Sequence, residues 1–259
     1  MHVCKKIATY LRSAFVQGGA NLRGLPLIPK SLWASAPHNR TAYNEFVLWI
    51  HRLHLPHVTQ LVDVGANHGD FSQATEALYP QCKALLVEPL PILHPELERR
   101  CAERANRWQL AKCALSREPG TATLYIDQEQ DAIASLNAFS EDYLQANPNS
   151  RSSQTFECKV QTLDGLCAEQ GIRKIDLLKI DVEGFEFEVL EGGKEMLQST
   201  ESLIVEVSLV RRPGDVDALE RMLTLLRSSG FRLVELLPSY AAPDQPWLPV
   251  EFNILARRS

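Results

Sequence analysis

From Gln60 to the carboxyl end, short apolar runs alternate with amphipathic stretches, and this alternation restricts the fold more than any other feature of the chain. A strand buried on both faces reads as a continuous apolar run, whereas a crossover helix shows apolar residues every three or four positions. Runs near 61–64, 84–88, 108–113, 176–180, 203–207, 231–237 and 250–256 have the first form, and 70–79, 91–105, 184–197 and 215–229 have the second. The pattern predicts an α/β domain with a mostly parallel sheet and helices on both faces. Region 120–160 departs from it, with a strand at "TATLYI", a polar loop "SEDYLQANPNSRSSQ" and another extended piece at "FECKVQTL".

The first 59 residues read differently. "KKIATYLRSAFVQ" sets Ile7, Tyr10, Leu11 and Phe15 at helical spacing against a basic face. That spacing suits a helix packed on the domain better than one on a membrane surface, because one short basic stretch binds lipid weakly. "GGANLRGLPLIPKSLWASAPHN" has the Gly and Pro content of a long loop or lid, and "TAYNEFVLWIHRL" returns to helical period. The expected division is an extension over 1–59, serving as lid or homodimer contact, and a ligand-binding domain over 60–259.

Charge and cysteine usage narrow the partners. With 32 acidic against 27 basic residues the formal charge is −5, which gives no general attraction for nucleic acid. The six cysteines, at 4, 82, 101, 113, 158 and 167, contain no C-x-x-C pair and suggest a reducing compartment rather than a zinc site. No window approaches the ~18 apolar residues of a membrane helix, and "MHVCKKIATYLRSAF" is too broken for a signal peptide. A cytoplasmic, soluble protein is expected.

In an open α/β sheet, ligands bind beyond the carboxyl ends of the strands where strand order reverses. "LVDVGANHGDF", residues 61–71, has the form of a first strand and its turn. Gly65 allows a sharp bend, Gly69 a close helix–strand approach, and amides at the helix start are expected to meet a ligand. Glu88 in "ALLVEPL" ends the next strand, where a carboxylate can accept both hydroxyls of a ribose. A dinucleotide turn reads G-x-G-x-x-G, but Asn67 stands at its middle glycine and Asp63 would repel a pyrophosphate. A cationic ligand such as S-adenosylmethionine is favoured instead. In "KIDLLKIDVEGFEFEVLEGG", residues 174–193, Lys179, Asp181, Glu183 and Glu186 gather at another strand end, and a lysine inside an apolar strand needs a partner.

Over residues 60–256 the chain resembles FkbM-family methyltransferases, a branch of the class I S-adenosylmethionine-dependent enzymes. The pieces that carry the resemblance are "VDVGANHGDFS", "LLVEPLP", "KCALSREPGTATLY", "VQTLDGL", "IDLLKIDVEGFEFEVLEGG", "LIVEVS" and "FNILARR". It implies a Rossmann-like, seven-stranded sheet with an antiparallel last strand. It further implies that Asp63, Gly65, Ala66, Asn67 and Gly69 line the methionine end of the donor, that Glu88 beside Pro89 holds the ribose, and that Cys113 and Ala114 approach the adenine. Methyl transfer to a hydroxyl of a sugar, glycan precursor or secondary metabolite is the implied reaction.

An alcohol acceptor must lose its proton as the new bond forms, so a base is required within reach. Asp181 is the first candidate because it ends the fourth strand, beside the first; contact with the donor or a metal and capping of the helix at 184 are its other open roles. Glu183 is second, and His68 is the one histidine inside a motif. Lys179 is expected to pair with Asp181 or Glu206. Converging carboxylates could bind a divalent cation, but no ligand spacing supports one. A nicotinamide-dependent oxidoreductase and a non-catalytic donor-binding module are the competing readings. The tryptophans are read as packing residues, although Trp33 and Trp247 stand in Pro-rich loops able to wall a sugar pocket.

Overall fold

A computed structural model describes residues 40–104, 107–126, 134–135, 154–209, 217–242 and 245–259. The chain divides into two units, residues 1–35 and 36–259. The expected helix around Ile7 to Phe15, the Gly- and Pro-rich stretch with Trp33, and the side chain of Trp247 lie outside the described residues. "TAYNEFVLWIHRL" forms α1 (Arg40–Arg52) and turns Tyr43, Val47 and Ile50 inward.

Next in chain order come β1 (Gln60–Val64), α2 (Asp70–Leu78), β2 (Lys83–Val87), α3 (His94–Ala102) and β3 (Trp108–Ala111). Four further strands follow, β4 (Ala114–Leu115), β5 (Gly120–Ile126), β6 (Ala134–Ser135) and β7 (Gln154–Gln161). The chain continues through α4 (Leu163–Glu169), β8 (Ile175–Ile180), α5 (Glu186–Glu191), α6 (Lys194–Gln198) and β9 (Thr200–Ser208). It closes with α7 (Ala218–Ser228), β10 (Phe231–Ala242) and β11 (Gln245–Arg258).

The main sheet has seven strands in the order β10-β11-β9-β8-β1-β2-β3. Strands β3, β2, β1, β8 and β9 are joined in parallel, while β11 runs antiparallel between β9 and β10. This is the predicted class I arrangement. Order reverses at β1, so the crevice for a ligand lies where β1 and β8 end. Alternation along the strands sorts the core: Val62, Val64, Leu178 and Ile180 join the cluster that includes Leu163, Val189 and Met222 from the helices. Leu61, Asp63, Leu177 and Lys179 therefore share the opposite face, towards α2.

Several boundaries differ from expectation for identifiable reasons. The predicted strand 108–113 stops at Ala111, and Ala114 leaves to pair with Val160 in a second sheet, β4-β7-β5-β6. "TATLYI" and "FECKVQTL" are the antiparallel pair β5 and β7 of that sheet. The helix expected over 184–197 is split into α5 and α6 at Gly192 and Gly193. A Cβ on Gly192 would stand 2.2 Å from the Ser116 carbonyl oxygen, so the backbone leading into the second sheet crosses there. β10 and β11 outrun their predicted lengths because they continue pairing with each other as far as Ala242 and Gln245. Among the described residues, no helix is long and apolar enough to cross a membrane.

Candidate active site

The carboxyl ends of β1, β2 and β8 open onto a cavity of about 480 Å³, within the usual range for a small-molecule site. Every residue that the sequence assigned to donor or chemistry lines it, apart from Asp63 and Gly69. Asp63 lies beneath the floor, fully buried, and Gly69 caps α2 in a left-handed conformation.

The glycine turn is bare for a reason that the sequence does not reveal. Gly65 has φ of 74°, and a Cβ there would lie 1.8 Å from the carbonyl oxygen of Asp181. The adjoining strand end, not a ligand, excludes a side chain. The amides of the turn itself, ahead of the helix start, are already engaged. Gly65 N and Ala66 N both donate to Val87 O, and Gly69 N donates to Ala66 O. Asn67 N donates to Glu88 Oε2 at 2.8 Å, and His68 N to Asn67 Oδ1 at 2.7 Å. With amides 65–69 all engaged, this turn is no cradle for a pyrophosphate.

Glu88 is 5% exposed, and its second oxygen accepts from Leu90 N at 2.9 Å. Burial pushes its carboxyl above the usual range, against the two amides that favour the charged form. Each oxygen accepts one amide, and an ionised carboxylate offers about four lone-pair sites. Acceptor capacity therefore remains towards the cavity.

At the floor, Lys179 stands opposite the buried Asp63 in the parallel pairing of β1 with β8. Lys179 Nζ donates to Gly65 O at 2.6 Å and lies 3.6 Å from Asp63 Oδ1 and 3.4 Å from Asp181 Oδ2. Burial opposes its charge, but the carboxylates of Asp181 and Asp63 outweigh that and hold Lys179 above the ordinary lysine range. Burial likewise pushes Asp63 up against the pull of Lys179. Ser72 Oγ donates to Asp63 Oδ2 at 2.7 Å, while Oδ1 has no hydrogen-bond partner. The Asp63 contact was not anticipated.

The acids divide into two kinds. Glu186 is buried, accepting Val182 N and Gly184 N on one oxygen, and so shapes the loop after β8. Asp181 and Glu183 line the cavity, and one oxygen from each lies within 4.8 Å of the other and of Glu206. With Asp63 and Glu88, these carboxylates outnumber the lysine, which favours a positively charged ligand. Sequence reasoning missed Phe46 of α1, Phe71 of α2, Phe185 and Leu124, which supply apolar wall. Phe46 and Phe71 meet edge to face at 5.4 Å, a contact that the helical period of α1 hints at without placing it.

Comparison with known proteins identifies the family of the chain. A family model described as the methyltransferase FkbM domain matches residues 63–233. The chain is 30% identical over 202 residues to "Methyltransferase 1" of Beauveria bassiana, covering 71% of this chain and 76% of that protein. It is 31% identical to the 31-O-demethyl-FK506 methyltransferase FkbM of Streptomyces tacrolimicus, covering 70% and 76% of the two chains. Against the 2-O-methyltransferase NoeI of Sinorhizobium fredii the identity is 27%, with coverage of 77% and 79%.

Proposed function

Because the chain belongs to the FkbM family of S-adenosylmethionine-dependent methyltransferases, we propose that it methylates a hydroxyl of a sugar, glycan precursor or secondary metabolite, with Asp181 as the base. The observation that carries this reading is a carboxylate at the end of β8 that opens onto the cavity while a buried ammonium lies 3.4 Å behind it. Two of the relatives described above are named for O-methylation, which supports oxygen as the acceptor atom. The described cysteines are free thiols, which supports a reducing, cytoplasmic setting.

The residues fit the donor. Spare acceptor positions on Glu88 suit a ribose diol, the excess of carboxylates suits a sulfonium and an ammonium, and the engaged amides of 65–69 disfavour a dinucleotide. When bound, S-adenosylmethionine supplies a methyl group activated by positively charged sulfur. Glu88 would then orient the sugar of the donor, and Cys113 and Ala114, which line the same cavity, would border the base. Phe46, Phe71 and Phe185 exclude water from the reacting groups, and Asp181 takes the hydroxyl proton as the carbon–oxygen bond forms.

Glu88→Gln is expected to weaken binding of S-adenosylhomocysteine by about tenfold or more, since one acceptor oxygen becomes an amide donor facing the diol or the Asn67 and Leu90 amides. Titration calorimetry measures it, and full affinity in the variant removes the ribose assignment. An acceptor screen with labelled donor, read by mass, tests the substrate class; donor binding without any product across hydroxyl acceptors would defeat the catalytic reading.

A further inference from the structure

Behind the donor turn sits one buried cation that belongs to neither strand end. Arg100 on α3 has a side chain 4% exposed and is absent from the cavity lining. Its Nη1 donates to the His68 carbonyl. Nη2 donates to Asp70 Oδ1 at 3.1 Å and to Gln73 Oε1 at 2.9 Å, both on α2. Nε lies 3.6 Å from Glu96 Oε1, and the other oxygen of Glu96 is 2.8 Å from His68 Nδ1. The guanidinium also closes the space beside Gly69, where a Cβ would come within 3.1 Å of Nη1.

We propose that Arg100 is a positioning residue for donor binding, fixing the turn 67–70 from behind through the His68 carbonyl, Asp70 and the Glu96-held imidazole. This rests on the donor reading given above. The turn gains from such a hold because Asn67 has φ of 50°, a region that non-glycine residues seldom occupy. Its registration reaches the ligand in one step. Asn67 N is bonded to Glu88 Oε2, so a shift of the turn reorients the carboxylate that takes the ribose. A planar guanidinium can satisfy a carbonyl, a carboxylate and an amide oxygen at once in fixed directions, whereas an ammonium cannot reproduce the fork.

The test is calorimetric titration of S-adenosylhomocysteine into wild type, Arg100→Lys and Arg100→Met, with Arg104→Gln as control. Arg104 lies four residues further along, pairs with Glu76 at 2.8 Å, stacks on Trp108 and meets Arg100 only at its main-chain carbonyl among the hydrogen bonds described, at 2.9 Å, so its loss disturbs the same face without touching the turn or the Arg100 guanidinium. Arg100→Lys is expected to lose about tenfold in affinity and Arg100→Met about a hundredfold. The KM for the donor should rise with the dissociation constant, while kcat at saturating donor stays near wild type. Arg104→Gln should lower the melting temperature and leave affinity unchanged. Should Arg100→Met fail to fold, Arg100→Lys carries the test. Unchanged affinity in Arg100→Lys, or an equal loss in Arg104→Gln, overturns the positioning role. A wild type that does not bind the probe overturns the donor reading itself, and this inference with it.

Discussion

Asp181→Asn is expected to lower kcat by roughly 10²–10⁴-fold while donor affinity changes by less than about tenfold. The main chain of Asp181 is held on both sides: its N–H donates to Val64 O at 3.1 Å, and its carbonyl oxygen packs against Gly65. Substitution by the isosteric amide should therefore leave the fold in place. What changes is chemical. An amide cannot take the acceptor proton, and it no longer answers the Lys179 ammonium with charge. Steady-state kinetics at saturating donor, paired with calorimetry, separates loss of proton transfer from loss of binding. A kcat equal to wild type would remove Asp181 as base and direct attention to Glu183 and His68, which line the same cavity. Repeating the assay in EDTA adds a second check, because Asp181, Glu183 and Glu206 converge. Retained activity is the outcome expected of a proton acceptor, and abolished activity would assign these carboxylates to a divalent cation instead.

Much of this site was legible because position at a strand end follows from periodicity. "LVDV", "ALLVE" and "LLKID" each end an apolar run with an acid nearby, and a parallel sheet brings such ends to one rim. Glu88 could be singled out on that ground, whereas Asp181 stood out among its charged neighbours only with the strand order that the family resemblance implies. The pairing of Asp63 with Lys179 could not, since it depends on the register between strands more than a hundred residues apart. The part played by Glu186 was hidden for a similar reason: a carboxylate early in a helix reads as a solvated cap, yet it folds back on two amides of the preceding loop. Arg100 carried no signal, because its partners lie around thirty residues away and arginines on a helix usually face solvent. The second sheet was half legible, with β5 and β7 visible as extended pieces and the departure of Ala114 from β3 invisible without its partner Val160.

The largest structural penalty should fall on Gly65→Ala. A methyl group there would stand 1.8 Å from the Asp181 carbonyl oxygen and 2.9 Å from its carbon, both backbone atoms without a rotamer through which to yield. The left-handed backbone alone costs about 1–2 kcal/mol in alanine. Relief of the clash requires β1 and β8 to separate at their ends, where Asp181 N meets Val64 O and Lys179 Nζ meets Gly65 O at 2.6 Å. Loosening that seam exposes a buried ion pair to imperfect contact, a further cost of about 3–5 kcal/mol if the pairing is broken outright. Thermal unfolding should then fall by at least about 10 °C, or the variant should not fold. Gly171→Ala provides the control: φ there is also positive, at 67°, but no atom lies within 4 Å of the added Cβ, so only the backbone term remains. Equal melting temperatures for the two variants would show that the strand ends do not press together at Gly65. A large difference would explain why the first turn of the sheet is stripped of side chains: the residue it must admit is Asp181, and the contact that forbids a methyl group at 65 also sets where the carboxylate proposed as base stands.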